Sequence, residues 1–212
     1  CFRCAEALEL VQALSSCQYR TGWVLCLVGR AHFEMVNYAL AERAFASALA
    51  VEPHRLAGHE VHSTLLWHAR SESKLCALAQ HALALDRLSP YTWVILGNCF
   101  SLQKEHDTAL KFLKRAIQIA PDLAYAHTLC GHELAANEDF DSALGSYRRA
   151  ILMDERHYNA WYGLGSIYYR QEKYDLAEHH LERALAINPR SSPLQCYLGM
   201  ALHERALADG DA

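Results

Sequence analysis

The stretch that decides the fold is HYNAWYGLGSIYYRQEKYDLAEHHLERALAINP, residues 157–189. Large apolar residues recur three and four positions apart on both sides of the polar segment 170–173, and a Pro ends the stretch at position 189. This spacing places the apolar side chains on one face of an α-helix, whereas a strand would alternate apolar and polar residues. The stretch therefore predicts two amphipathic helices joined by a short turn.

The same residue types recur along the chain with a period of 34. This period with these slots is typical of the tetratricopeptide repeat, in which each unit is a pair of antiparallel helices. We therefore predict an all-α solenoid whose helix pairs stack into a right-handed superhelix. Two copies of the pattern lie 68 residues apart, at Trp93, Leu96, Gly97, Phe100, Ala109, Leu113, Ala116 and Pro121 and at Trp161, Leu164, Gly165, Tyr168, Ala177, Leu181, Ala184 and Pro189.

This period divides the chain into a single array of repeat units. Residues 1–21 are predicted to form a preceding second helix, with Ala7 in the slot for a small residue, and residues 192–212 a further first helix. The second full unit departs from the pattern, since Ser63 replaces the recurrent Gly. We expect the array to be part of a longer one. The five full units are 22–55, 56–89, 90–123, 124–157 and 158–191.

A Gly within the first helix of most units predicts a close helix crossing. Gly97 and Gly165 both lie inside predicted helices, where Gly costs about 1 kcal/mol relative to Ala. Such a cost is understandable if a neighbouring helix passes so near that a side chain would not fit. The second helices of the same units supply small residues as partners, Ala109 and Ala177.

The composition excludes several functional classes. With 24 acidic and 20 basic residues the net charge is −4, so the chain lacks the basic footprint that is typical of a nucleic-acid-binding protein. Its apolar stretches are too short to span a membrane. Neither a glycine-rich phosphate loop nor a Gly-x-Ser-x-Gly nucleophile motif occurs. We therefore predict a protein that is not an enzyme and that needs no cofactor.

The eight Cys and thirteen His residues do not form a recognisable metal or disulfide pattern. Cys26, Cys99 and Cys130 lie in apolar helical stretches, where a free thiol packs as a small hydrophobic group. Cys1 and Cys4 form a CxxC pair, but no second pair follows at zinc-finger spacing. We therefore expect free thiols, no bound metal and a reducing compartment.

A ligand of such a solenoid would bind along the wall formed by the first helices of the units. Inward-facing positions on one helical face are aromatic and amide-bearing between about residues 91 and 170. This wall has few cations and suits a peptide with an apolar side chain and polar ends. The predicted peptide-binding residues from this count are Tyr125, Thr128, His132, Asn159 and Tyr162.

Glu133 adds a negative charge beside this wall, in the segment HELAA. A carboxylate can bind a guanidinium group through two parallel hydrogen bonds, which would favour a peptide with a cationic residue. An exposed or inter-repeat salt bridge explains the same residue equally well, and both interpretations stay open.

Several strings outside the repeat slots resemble one family. The strings TGWVLCLVGRAHFE (21–34), GNCFSLQKEHDTALKF (97–112) and the first part of the 157–189 stretch are similar to the cell-division-cycle 27 subunit of the anaphase-promoting complex. The resemblance covers essentially the whole chain and implies the C-terminal tetratricopeptide superhelix of that subunit. It also implies a non-catalytic scaffold in a ubiquitin ligase of the cell cycle, present in nucleus and cytoplasm.

The same resemblance implies the partners and three binding residues. Members of the family bind the C-terminal Ile-Arg tails of co-activators and of a core subunit, contact neighbouring tetratricopeptide subunits, and homodimerise through N-terminal repeats absent from this chain. By position, Asn98 would bind the peptide backbone or carboxylate, Glu133 the Arg and Leu164 the Ile, although Leu164 also occupies a packing slot of the repeat. The alternatives are a tetratricopeptide adaptor for another partner, and an enzyme whose catalytic domain lies outside this chain.

Overall fold

The computed structural model describes residues 3–210, and within that range the chain is built from α-helices without any strand. The predicted all-α class is therefore confirmed. No helix among these residues combines the length and the apolarity that crossing a lipid bilayer requires. The helices are α1 (Cys4–Gln12), α2 (Ser16–Tyr19), α3 (Gly22–Glu34), α4 (Tyr38–Val51), α5 (His59–His68), α6 (Glu72–Leu85), α7 (Pro90–Leu102), α8 (His106–Ile119), α9 (Ala124–Ala136), α10 (Phe140–Met153), α11 (Tyr158–Arg170), α12 (Tyr174–Ile187) and α13 (Ser192–Gly210).

The helices group into two compact units, one from Arg3 to Ala120 and one from Pro121 onwards. In the first unit α3 pairs with α4, α5 with α6 and α7 with α8, and α5 contacts the first helix of both neighbouring pairs. In the second unit α9 pairs with α10 and α11 with α12, while α13 packs on α12 and α11. Each pair lies within one 34-residue repeat, so the tetratricopeptide architecture is confirmed. A single continuous array and its superhelical shape stay predictions.

The recurrent Gly makes room for a large side chain that lies sixteen positions later, on the second helix of its own pair. A Cβ atom added to any of four of these glycines would have its nearest neighbour in that side chain at 2.5–2.9 Å, well inside van der Waals contact. The close crossing predicted from the glycines is thus confirmed, but the neighbour is a large side chain and not a small one. The pairs are Gly29 with Phe45, Gly97 with Leu113, Gly131 with Tyr147 and Gly165 with Leu181.

The turn between the two helices of each pair contains one residue in the left-handed region. In the first such turn Asn37 donates its N–H to the carbonyl oxygen of His32 at 2.9 Å, which is the Schellman pattern, and the other four turns repeat this bond. None of the five residues is Gly, so each turn holds a backbone conformation that is unfavourable for its side chain. These residues, spaced 34 apart with φ between 53° and 64°, are Val36, Arg70, Lys104, Glu138 and Glu172.

The N-terminal segment differs from the single second helix predicted for residues 1–21. A new helix, α2, begins because Ser15 Oγ accepts the N–H of Gln18 while the Gln18 side chain accepts the N–H of Ser15, a capping box. Ala7 is exposed, so it does not fill the small buried slot that the alignment of repeats assigned to it. Of the predicted CxxC pair, Cys1 lies outside the described residues.

Candidate functional site

Seven of the eight predicted binding residues lie on two helices of the second unit, α9 and α11, which contact each other. Since these are the first helices of consecutive repeats, the structure brings the two sets together. The eighth residue, Asn98, lies on α7 of the first unit. The α9 residues are Tyr125, Thr128, His132 and Glu133, and the α11 residues are Asn159, Tyr162 and Leu164.

Three of these seven side chains are buried and four keep an accessible edge. Thr128 donates its hydroxyl to the carbonyl oxygen of Ala124 in its own helix, at 3.1 Å. Glu133 is 7% exposed and Leu164 only 2%. An Ile side chain could therefore not reach Leu164 without repacking, so in this structure Leu164 has the packing role that its repeat slot predicts. The half-buried residues are Tyr125, His132, Asn159 and Tyr162.

Tyr147, on α10, lies at the centre of this arrangement, although the sequence marked it only as a repeat slot. Its side chain is 1% exposed, and a Cβ added to Gly131 of α9 or Gly163 of α11 would come within 2.5 or 2.4 Å of its ring. Its hydroxyl is hydrogen-bonded to His132 Nδ1 at 2.8 Å. Tyr147 thus holds one predicted binding residue in place. The second Gly of the α11 motif, Gly163, was the sequence signal that could have revealed this contact.

Two opposite charges act on the Tyr147 hydroxyl. Burial raises the pKa of Tyr147 most, neighbouring Tyr162 raises it further, the Arg170 guanidinium lowers it and the Glu133 carboxylate raises it. Glu133 and Arg170 are therefore both close enough to the same hydroxyl to affect its ionisation. Arg170, at the end of α11, also donates to the carbonyl oxygen of Ala135 in α9 at 3.5 Å.

Tyr162 packs against a residue that the sequence prediction missed, Tyr197 of α13. Their ring centroids are 5.2 Å apart with an interplanar angle of 84°, an edge-to-face contact. Burial raises the pKa of Tyr162, and its hydrogen bond with Tyr197 raises it further. The helix α13 therefore extends the aromatic surface begun by α11. The sequence count missed Tyr197 because it lies at the sixth position of its repeat, which was not taken as inward-facing.

Asn98 of the first unit is buried and bonded within that unit. Its Nδ2 donates to Ser63 Oγ at 2.8 Å and to Thr64 Oγ1 at 3.0 Å. Because an amide nitrogen has two hydrogens, both are used, and donation to a peptide carboxylate would require Asn98 to give up one of these bonds. The binding role of Asn98 stays a prediction. Ser63 occupies the slot that holds Gly in the other full repeats, and its hydroxyl gives the 56–89 unit a hydrogen bond to Asn98 that a Gly could not make.

The buried histidines of the first unit serve packing. The Nδ1 atoms of His59 and His62 lie 3.3 Å apart, and the His62 ring stacks on Phe45 with centroids 5.0 Å apart. Burial lowers the pKa of His59 to about 4 and that of His62 to about 3, so both are neutral near pH 7. Among residues 3–210, no three His, Cys, Asp or Glu side chains lie close enough to hold a metal ion together.

Comparison with known proteins supports this architecture. Residues 90–123 and 131–192 match models of the tetratricopeptide repeat. The chain is 51% identical over 202 residues to cell division cycle protein 27 homolog B of Arabidopsis thaliana, an alignment that covers 95% of the chain and 27% of that protein. It is 44% identical over 204 residues to anaphase-promoting complex subunit 3 of Schizosaccharomyces pombe, which covers 96% of the chain and 30% of that protein.

A human relative shows the same similarity over a shorter stretch. The cell division cycle protein 27 homolog of Homo sapiens is 50% identical over 121 residues, or 57% of the chain and 15% of that protein. The resemblance recognised in the sequence is thereby confirmed. The chain spans less than a third of the length of these curated relatives.

Proposed function

Because this chain belongs along its length to the cell-division-cycle 27 family of tetratricopeptide-repeat proteins, we propose that it acts as a scaffold segment of the anaphase-promoting complex. In this role it takes no catalytic part and works in the nucleus and cytoplasm. Its ligands are the C-terminal Ile-Arg tails of co-activators and of a core subunit. The observation that supports this most is the 44% identity, over 96% of the chain, to a protein named as a subunit of that complex.

Glu133 is the proposed partner of the Arg side chain of the tail. Its carboxylate lies on α9 and is 7% exposed, so a guanidinium bound there would be largely removed from water. A charge-assisted, bidentate pair is strongest in such surroundings. The half-buried Tyr162 of the neighbouring helix α11 would border the bound guanidinium.

The terminal carboxylate and the Ile have other proposed partners than those implied by resemblance alone. Arg170 supplies a positive charge near the Tyr147 hydroxyl in the same unit as Glu133, whereas the Asn98 amide already donates both hydrogens. Asn98 lies in the other compact unit, and its role in binding the tail stays a prediction from the family resemblance. Leu164 is enclosed, so the half-buried Tyr162 with Tyr197 offers the Ile an accessible apolar contact.

The test is binding of a fluorescein-labelled peptide that ends in Ile-Arg with a free carboxylate, followed by anisotropy. We expect the intact chain to bind it, and Glu133→Gln to weaken binding by about thirtyfold, since loss of one partner of a buried charged pair costs at least about 2 kcal/mol. The variant keeps the shape of the buried side chain, which Ala would not. Glu182→Gln, at an exposed site of α12 in the same unit, is the matched control and should bind like the parent chain.

A second peptide, in which Ala replaces the terminal Arg, makes the assignment specific. The losses from this change and from Glu133→Gln should be strongly non-additive, because both break the same interaction. Full additivity would show that Glu133 does not bind the Arg. A folded chain that binds neither peptide more tightly than one with a scrambled tail would contradict the function itself and favour an adaptor for another partner.

A further inference from the structure

Two cysteine sulfur atoms in the first unit lie in contact. Cys76 Sγ on α6 and Cys99 Sγ on α7 are 3.3 Å apart, and both residues are free thiols. The two residues belong to different repeats, 56–89 and 90–123, and are 23 positions apart in the chain. The sequence pattern identified Cys99 only as an apolar helix position, so its proximity to Cys76 is a property of the fold.

The register of two antiparallel helices brings these thiols together. Glu72 and Cys76 are one helical turn apart on α6, and Cys99 and Gln103 are one turn apart at the end of α7. Gln103 Nε2 donates to Glu72 Oε1 at 2.9 Å, and one turn further along both helices the two thiols face each other. The polar contact and the contact between the thiols thus belong to the same register of the two helices.

The two thiols differ in their access to solvent. Cys99 is 7% exposed and packs among the buried Leu and Ile side chains of the α5–α7 core, whereas Cys76 is half-buried. Burial, and then the hydrogen bond with Cys76, raise the pKa of the Cys99 thiol. A reagent from solution therefore meets Cys76 first, and Cys99 lies behind it with its sulfur in contact with that of Cys76. The raised pKa of Cys99 makes its attack the slower of the two steps.

We propose that Cys76 and Cys99 form a reversible redox site, which a small-molecule disulfide such as oxidised glutathione converts into an intramolecular disulfide bond. This inference is independent of the proposed peptide binding. Transient disulfides of this kind are the usual form of cysteine oxidation in compartments that are otherwise reducing.

The reaction proceeds by two thiol–disulfide exchanges. Cys76 loses its proton and its sulfur attacks one sulfur of the oxidant, whose S–S bond breaks and whose other half leaves as a thiolate that takes up a proton. Cys99 then loses its proton and attacks Cys76 Sγ, which breaks the mixed disulfide and releases the second small thiol. Two protein thiols and one small disulfide thus become one protein disulfide and two small thiols. In forming the bond, the sulfur atoms would approach from 3.3 Å to about 2.0 Å.

The bond would connect the second helix of one repeat to the first helix of the next. Cys99 directly follows Asn98, whose amide is hydrogen-bonded to Ser63 and Thr64 of α5. Oxidation would therefore fix α7 against both helices of the preceding pair. Since each repeat of a solenoid contacts chiefly its neighbours, a covalent link at this junction would act on the relative movement of two adjacent repeats.

The test is peptide mapping of the full chain after incubation with oxidised glutathione, with blocking of remaining thiols and trypsin digestion without reductant. Cleavage after Lys74, Arg87 and Lys104 places Cys76 in fragment 75–87 and Cys99 in fragment 88–104, each with a single cysteine. We expect these fragments to appear as one linked species, with loss of the blocking group from both cysteines together. Reductant should separate them, and circular dichroism should show that the chain stays folded.

Variants identify the order of the steps. Cys99→Ala should stop at the glutathione adduct on Cys76, whereas the matched control Cys196→Ser, at an exposed site of α13, should still give the linked fragments. Recovery of Cys76 and Cys99 from the folded parent chain only as blocked thiols, or only as separate glutathione adducts, would overturn the proposal. Because the parent chain itself gives this result, the test does not depend on the folding of any variant.

Discussion

Replacing Gly163 by Ala adds a single methyl group against the ring of Tyr147. The new Cβ would lie 2.4 Å from the ring atoms Cε1 and Cζ and 2.7 Å from Cε2, where carbon atoms normally stay about 3.5–4.0 Å apart. The ring cannot simply turn away, because it is 1% exposed and lies against Gly131 of α9 on its other side. Its hydroxyl is also hydrogen-bonded to His132. The substitution therefore forces α10 and α11 apart or displaces the ring.

The expected loss of stability follows from two opposing contributions. Overpacking of a tight core site costs about 1–3 kcal/mol. The upper end applies here because the added Cβ would contact three atoms of the enclosed Tyr147 ring. Ala in place of Gly within a helix contributes about 1 kcal/mol in the opposite direction. The net destabilisation is then about 2 kcal/mol, which lowers the melting temperature of a chain of this size by about 4–8 °C.

Gly145→Ala is the matched control, because Gly145 lies in the neighbouring helix α10, is exposed, and has no atom within 4 Å of an added Cβ. Only the helix propensity changes there, so this variant should melt about 2–4 °C above the parent chain. The measurement is thermal unfolding followed by far-ultraviolet circular dichroism, which reports helix content. In a Tyr147→Leu background the cost of Gly163→Ala should shrink, since the ring is gone.

The two glycines must therefore respond with opposite signs. If Gly163→Ala raised the melting temperature as Gly145→Ala does, the close contact between α11 and the Tyr147 ring would be refuted. If both variants lowered the melting temperature, the expected gain in helix propensity at Gly145 would be absent. An unchanged cost in the Tyr147→Leu background would assign the strain to a different neighbour.

Further predictions concern the buried polar groups and the turns. Burial lowers the pKa of His59 to about 4 and that of His62 to about 3. Below about pH 6.5 the unfolded chain therefore takes up protons at these histidines, whereas the folded chain does so only near the lowered values. Between these limits, stability to urea should fall with decreasing pH, by up to about 1.4 kcal/mol per pH unit for each histidine. His62→Leu should flatten this dependence, and a slope equal to that of the parent chain would contradict it. Tyr147→Phe removes the hydrogen bond to His132 and should cost about 1 kcal/mol, measured by urea unfolding. Val36→Gly should stabilise the chain by about 1 kcal/mol, because Val36 is exposed and has φ 62°, and an unchanged urea midpoint would show that the turn is unstrained.

The repeat could be derived from the sequence because its signal is periodic and local. Gly, Ala and large apolar residues recur every 34 positions, and each slot reports on the contact between two helices that are adjacent in the chain. Helix type, helix pairing and the close crossing at Gly97 and Gly165 follow from that information alone. The prediction failed at the N-terminal segment, where Ser15 and Gln18 start a new helix through a capping box that the repeat pattern does not contain.

The tertiary structure decided what the slots could not distinguish. The left-handed turn residues share a position but no residue type, from Val36 to Glu172, because the backbone hydrogen bond and not the side chain sets their conformation. The family resemblance assigned Leu164 and Asn98 to peptide binding, yet Leu164 is enclosed by packing and the amide of Asn98 is hydrogen-bonded to Ser63.

Contacts between different repeats were equally out of reach of the periodic pattern. Tyr162 with Tyr197 and Cys76 with Cys99 are side chains from separate repeats, brought together by the rotation and register of their helices. The repeat pattern indicates which residues face a neighbouring helix, but it does not indicate which residues of that helix they contact. The sequence by itself therefore determined the helix pairs, whereas the packing of successive pairs determined which side chains meet.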